Sequence, residues 1–334
     1  MNGRALVFEG PGDVAVRSFE VEKPGPEDVL VETTVSAISP GTELLIYRGE
    51  VPEGMTVDTS IDSLDGDFSY PLEYGYAAVG TVRAVGEDVD GDWQDTRVFG
   101  FEPHRTHFTA SPDVLVELPS WISTDVAALL PTVETATNLV LDCAPLVGER
   151  VIVFGAGPVG LATIRLLAQF PIELVVAEPI STRRELARTF GADAALEPAA
   201  ARSYFDDCEP GGADLAIELS GRPATIDDAI DAIGYGGRLV IGSWYGTRRA
   251  SIDLGSSFHR NDVTIRSSQV SRLAPERRGR WTNGRRLVHA LEQLTSVEAD
   301  SVISHRIPFE NASEAYPLLE NEAAAVIQVL LTYD

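Results

Sequence analysis

Lysine is nearly missing from this chain. Lys23 stands alone among 26 basic residues, against which are set 51 acids, a formal net charge of -25 over 334 residues. Acids occur along the whole length, so the imbalance reads as a property of the general surface, with no basic stripe to displace counterions from a nucleic-acid backbone; no nucleic-acid partner is expected. A hydrated acidic surface suits a high-salt cytoplasm, where ions screen self-repulsion. On that hypothesis the unfolding free energy rises as KCl is raised toward molar concentration, and a fall in urea melts would refute it. Cysteine is as scarce: Cys143 and Cys208 lie far apart with no Cys-x-x-Cys near either, which excludes a disulfide framework and a cysteine-rich zinc site and fits a reducing cytoplasm. Long apolar runs are absent too. None approaches the ~18 residues of a membrane span, and the opening MNGRALVFEG lacks the basic start and apolar stretch of a secretory signal, so no membrane partner is expected.

What is present is a 44% apolar composition, ample for about two cores. The organising stretch is Val151-Ile152-Val153-Phe154-Gly155-Ala156-Gly157-Pro158-Val159-Gly160, an apolar run ending in G-x-G-x-x-G, with a helical apolar pattern starting at once afterwards. Strand, tight turn and helix follow in the order that a dinucleotide cradle needs. Gly155 lets the chain turn, Gly157 lets a pyrophosphate reach the backbone, Gly160 lets the helix sit close to its strand, and Pro158 and Val159 open the helix whose free N–H groups face the phosphates. The next apolar strand, Glu173 to Ala177, delivers Glu178 about 20 residues past the glycines, where an acid hydrogen-bonds an adenosine ribose.

Up to about residue 131 the chain reads as short strands broken by Gly and Pro, such as Arg4 to Phe8, Val29 to Val35 and Val79 to Val85, the texture of a compact β domain. Val51 to Tyr70, rich in Asp, Gly and Ser, reads as a surface loop or lid. From about Ala128 helices alternate with apolar strands at Leu215, Arg238 and Val263, which implies a doubly wound parallel sheet. After about residue 271 the texture reverts. The expected division is 1–131, an inserted nucleotide domain at 132–271, and a returning segment at 272–334.

On these residues the chain resembles the medium-chain dehydrogenase/reductase family. The resemblance is carried by Pro40-Gly41-Thr42-Glu43, Tyr74-Gly75-Tyr76-Ala77-Ala78-Val79-Gly80, the glycine turn, Gly236-Gly237-Arg238-Leu239-Val240 and Ile307-Pro308-Phe309-Glu310. It implies a Rossmann domain inserted into a GroES-like, barrel-type catalytic domain, a homodimer pairing the strand near Val263 to Ser267, and a small alcohol or carbonyl substrate. Where zinc members of the family have Cys-Gly-Thr-Asp this chain has Pro40, and where they have Gly-His-Glu it has Gly75-Tyr76-Ala77. Their third ligand position falls near Leu130, and between Pro103 and Thr109 there is no room for their four-cysteine lobe. A zinc ion needs three or four N, S or O ligands, a set that proline, tyrosine and leucine cannot supply, so no zinc is expected. Ser39 to Glu43, Pro103-His104-Arg105-Thr106 and Glu134-Thr135-Ala136 look like a zinc-lacking branch that includes bacteriochlorophyllide-type dehydrogenases.

Without a Lewis acid, protein donors must manage the charge on a reacting oxygen. Thr42 matches a hydroxyl that touches substrate in zinc relatives, or is a turn residue. Tyr76 replaces a ligand and is either a phenolic donor or packing. Glu134 aligns beside the nicotinamide in relatives and is either an acid–base group or a helix-start carboxylate. His104 is a proton carrier or part of a solvated loop. For the cofactor, Glu178 favours NAD, whereas Arg183 with Arg184 leaves NADP open. Ser220, Gly221, Ser243, Trp244 and Ser268 end strands at the edge where such sheets bind ligands. Three readings remain: an alcohol–carbonyl oxidoreductase, an enone or quinone reductase, and a dinucleotide-binding protein without turnover.

Overall fold

The computed structural model describes residues 2–58 and 61–333. They divide into two compact units, residues 1–131 with 298–334, and residues 132–297. The chain opens with β1 (Asn2–Gly10), β2 (Asp13–Glu20), β3 (Val29–Ala37), α1 (Pro40–Tyr47), β4 (Leu72–Glu73), β5 (Ala78–Val85), β6 (Arg97–Gly100), β7 (His107–Ala110), β8 (Val116–Glu117) and α2 (Thr124–Ala127). The strand period is visible in β3, where Val29, Val31, Thr33 and Val35 are buried while Thr34 is exposed. The stretch expected to be a surface loop has mostly exposed or half-buried residues in turns and bends, and is anchored by buried Val51, Leu64 and Phe68 and by Ser63, which donates to the Phe101 carbonyl. Thr59 and Ser60 of that stretch lie outside the described residues.

Helix α3 (Leu130–Cys143) leads into the second unit, where β9 (Arg150–Phe154), α4 (Pro158–Leu167), β10 (Glu173–Ala177), α5 (Ser181–Thr189), β11 (Ala194–Leu196), α6 (Pro198–Arg202), β12 (Ala213–Glu218), α7 (Thr225–Asp231), β13 (Ile233–Ile241), α8 (Ser257–Arg260), β14 (Thr264–Ser267) and α9 (Asn283–Ser296) alternate. The sheet order is β11-β10-β9-β12-β13-β14, and every pairing is parallel. This is the doubly wound order 3-2-1-4-5-6 of a Rossmann sheet, with its switch point between β9 and β12. The central strands are unbroken apolar runs because both faces are covered: Val151, Ile152, Val153, Val175, Val176 and Ile217 are fully buried.

The compositional reversion at residue 272 does not mark the break between units. Residues 272–297 stay with the sheet, because α9 turns Arg286, Ala290 and Leu294 inward at helical spacing and Arg286 is ion-paired to Glu134 of α3. The return begins at residue 298 and supplies β15 (Ile303–Pro308), α10 (Ala315–Asn321) and β16 (Gln328–Thr332). These complete a seven-stranded sheet ordered β15-β16-β3-β5-β6-β8, with β7 also on β3, beside a three-stranded sheet β2-β1-β4. The core of this unit holds Phe8, Ile38, Leu45, Ile46, Phe309 and Tyr316, all at most 1% exposed. No helix among the described residues is long and apolar enough to cross a membrane.

Candidate active site

In the second unit the glycine turn has the geometry that its spacing implies. Gly155 sits at φ +103°, and a Cβ there would lie 2.8 Å from the backbone of Leu219 and Ser220. A Cβ on Gly160 would meet the Gly155 carbonyl oxygen at 2.3 Å, so α4 is pressed against the turn. Gly157 is the opposite case, with nothing within 4 Å of its Cβ position at the N-cap of α4. The backbone is closed on the protein side and open where a diphosphate would rest on the helix N-terminus.

Glu178, 4% exposed at the end of β10, fastens this turn. Its Oε2 accepts the Ala156 N–H at 2.8 Å and its Oε1 accepts the Ile180 N–H at 2.9 Å. A carboxylate has lone pairs beyond these two, so ribose hydroxyls can still donate to it. Burial pushes the Arg183 guanidinium down, with Glu178 acting the other way. Arg184 is committed to the Glu178 and Pro179 carbonyls and, at 2.7 Å, to Glu197. At neighbouring strand ends the Ser220 hydroxyl donates to Glu218, and the Gly221 N–H donates to Ser243 Oγ at 3.0 Å. The parallel sheet brings Gly155 to Gly160, Glu178, Ser220, Gly221, Ser243 and Trp244 to one carboxyl edge. Ser268 leaves that same edge but faces α3: its Oγ donates to Asp142 at 2.7 Å and accepts from Asn138 at 3.1 Å.

Glu134 is not presented as a free acid. Its Oε1 accepts from Arg286 Nε and Nη2 at 3.1 and 2.9 Å, and Arg286 Nη1 donates to Asn138 at 2.8 Å. Burial raises the Glu134 carboxyl while Arg286 pulls it down. The two residues are 7% and 3% exposed, a buried pair whose separation would leave an uncompensated charge, so the helix-start alternative of the sequence reading describes Glu134 better than an acid–base role does.

In the first unit His104 is 0% exposed rather than on a solvated loop. Its Nδ1 bonds Ser36 Oγ at 2.7 Å and its Nε2 bonds Glu43 Oε2 at 3.1 Å. Glu43 also accepts from Tyr316 at 2.7 Å and from the Ser39 N–H at 2.6 Å, and Ser36 meets the Tyr333 hydroxyl at 2.8 Å. A Cβ on Gly75 would stand 2.8 Å from the imidazole, so that residue is held against the ring. With both ring nitrogens and both Glu43 oxygens occupied inside the core, this network positions the start of α1.

What α1 presents is a set of hydroxyls. Tyr76 donates to Ser39 Oγ and also hydrogen-bonds Thr42. Burial raises the phenol above its ordinary range, the Ser39 and Thr42 bonds lower it, and the charges of Glu43 and Asp58 raise it. The phenol therefore stays protonated at neutral pH and is a donor. Pro40 and Tyr76 stand at two positions to which the family resemblance assigns metal ligands, and the His104–Glu43 pair is closed on itself. Among the described residues no group of three His, Cys, Asp or Glu could hold a metal ion. The donor set of Pro40, Tyr76, Ser39 and Thr42 does not fit zinc. Ser39, Glu43, Ser36, Tyr316 and Tyr333 escape a reading by motif, although Ser39 and Glu43 flank Thr42 in it.

One further carboxyl titrates near neutrality. Glu102, 9% exposed, is pushed by burial up to about 7 against the opposing pull of Arg105. An acid whose folded pKa lies above its ordinary 4.5 stabilises the fold below that value and loses the contribution as pH climbs to about 7. Glu102→Gln is expected to gain about 3 kcal/mol relative to the parent between about pH 4 and pH 8. Urea melts across that range check it, and a pH-independent difference would contradict it.

Comparison with known proteins agrees with this fold. Residues 158–306 match the family model described as zinc-binding dehydrogenase, a span that leaves Pro40, Tyr76 and Leu130 outside it. An L-threonine 3-dehydrogenase of Pyrococcus abyssi is 27% identical, with 90% of each chain covered. The crystal structure of 2R,3R-butanediol dehydrogenase from Bacillus subtilis superposes with a TM-score of 0.80 at 20% identity, over 99% of this chain and 100% of that one. An alcohol dehydrogenase from E. coli CFT073, complexed with NADH, gives 0.79 at 19% identity, over 99% of both.

Proposed function

We propose that this chain, which belongs to the medium-chain dehydrogenase/reductase family and is an oxidoreductase, interconverts an alcohol and a carbonyl with NAD as cofactor and without a zinc ion. The observation that carries the zinc-free reading is the hydroxyl cluster of Tyr76, Ser39 and Thr42, standing where relatives supply metal ligands. The nicotinamide, when bound, supplies or accepts the hydride. The chain's own residues do the rest. Gly157 and the N-terminus of α4 seat the diphosphate, and Glu178 takes the ribose hydroxyls and repels a 2′-phosphate. Arg184 is already held by Glu197, which supports NAD over NADP. Tyr76 gives its proton to the substrate oxygen as charge develops there in the reducing direction and takes it back in the other, while Ser39 and Thr42 hold the phenolic oxygen in place.

Purified protein with NAD or NADP, assayed at 340 nm over a panel of alcohols, polyols and quinones, tests the reading. Turnover of an alcohol with NAD is the expected result. Hydride delivery β to a carbonyl would make it an enone reductase, and tight NADH binding with no turnover would make it a dinucleotide-binding protein; either outcome overturns the proposal.

A further inference from the structure

The negative charge is not as uniform as the composition suggests. Ten arginines stand between Arg248 and Arg286, against three acids, Asp253, Asp262 and Glu276. The imbalance is sharpest from Arg272 to Arg286, which has six arginines and one acid. That acid, Glu276, is taken by Arg266 at 2.5 Å, and Arg286 is taken by the buried Glu134. Arg272, Arg277, Arg278, Arg280 and Arg285 remain, and among the described residues none of the five is ion-paired to a carboxylate.

Elsewhere in the chain, where acids outnumber bases about two to one, several arginines are paired: Arg4 with Glu310, Arg17 with Glu9, Arg238 with Glu149, Arg306 with Asp125. Successive turns run through the loop, with Arg277 N–H on the Ala274 carbonyl and the Arg280 and Trp281 N–H groups on the Arg277 carbonyl. Arg278 Nε donates to the Leu273 carbonyl at 3.0 Å, and the Arg285 guanidinium lies 4.3 Å from the centre of the Trp281 ring. The Arg277 Nε is buried without an acceptor, a donor left over inside the loop. Arg272, Arg278, Arg280 and Arg285 are exposed. Like charges held together without counter-charges repel one another, and an anion between them removes that cost.

The loop starts where β14 ends, on the carboxyl edge that carries the glycine turn. Strands β12, β13 and β14 step away from β9 in that order, so the end of β14, from which the loop departs, lies about three strand spacings, roughly 14 Å, from the end of β9 that leads into the glycine turn. The same guanidinium chemistry would suit a cofactor phosphate or a substrate carboxylate, and that distance favours the substrate. We propose that the Arg272–Arg285 loop recognises the carboxylates of a small, multiply anionic substrate, drawing it to a basic surface on an otherwise acidic chain. The inference rests on the oxidoreductase reading.

The test is calorimetric titration of the full chain at low ionic strength with benzene-1,3,5-tricarboxylate, its neutral triamide, and NADH. The tricarboxylate is expected to bind and the triamide not. Replacing three of the four exposed arginines, Arg272→Gln, Arg278→Gln and Arg280→Gln together, should weaken the tricarboxylate by about ten-fold or more while NADH affinity stays within about two-fold. Equal tricarboxylate affinity in parent and variant would overturn the proposal, as would a parallel loss of NADH affinity, which would assign the arginines to the cofactor. Failure of NADH to bind the parent would instead strike the dinucleotide reading, and the carboxylate titration would still be read.

Discussion

Gly157→Val is expected to weaken NADH binding by about a hundred-fold or more, roughly 2.7 kcal/mol, while costing the fold no more than the ~1 kcal/mol of a poorer N-cap. The Cβ would project into open space, since nothing stands within 4 Å of it, so no clash is added to the fold; a diphosphate brought to the backbone there would meet the side chain. Gly155→Ala should behave in the opposite sense. Its methyl would collide at 2.8 Å with the Leu219 and Ser220 backbone at a φ of +103°, and neither that backbone nor the dihedral can give way cheaply. A loss of a few kcal/mol of stability follows. Fluorescence titration with NADH and urea melts, run on both variants, separate the two effects. Two glycines two residues apart failing in the same way would show that the turn is only a tight corner.

That contrast was legible from sequence because everything it needs is local. Strands β9 and β10 are unbroken apolar runs as a consequence of burial on both faces, and the turn, helix and Glu178 follow within a single βαβ unit. The first unit is less transparent for the same physical reason inverted. His104 meets Glu43 across 61 residues and Ser36 across 68, and Glu43 meets Tyr316 across 273. No periodicity or spacing encodes such bonds, so a fully buried histidine read as a residue of a polar loop. For Glu134 the sequence left two alternatives open, because its partner Arg286 is 152 residues away. The boundary expected at 272 came from texture alone, whereas the ion pair from α9 keeps that segment with the sheet to residue 297. A net charge summed over the whole chain likewise averaged out the arginines of Arg272 to Arg285.

Tyr76→Phe is the second large effect. It deletes the hydroxyl that bonds Ser39 and Thr42 and leaves the ring, whose edge-on packing with Tyr74 at 6.0 Å is unchanged. If the phenol is the proton donor, kcat for carbonyl reduction falls by about a hundred-fold or more, with KM and NADH affinity little altered. A variant within about three-fold of the parent would reduce Tyr76 to packing. The pH dependence has a definite sign: burial raises the phenol, so its proton is retained through neutral and mildly alkaline pH, and the reduction rate should not fall there through loss of this donor.

The central claim is that protonic groups do here what a bound cation does in zinc relatives. Its most direct test is to count zinc by mass spectrometry in chelator-dialysed protein while measuring turnover of the same sample. Full turnover with far less than one zinc per chain is the predicted result; turnover that disappears on dialysis and returns as about one zinc per chain is restored would contradict it.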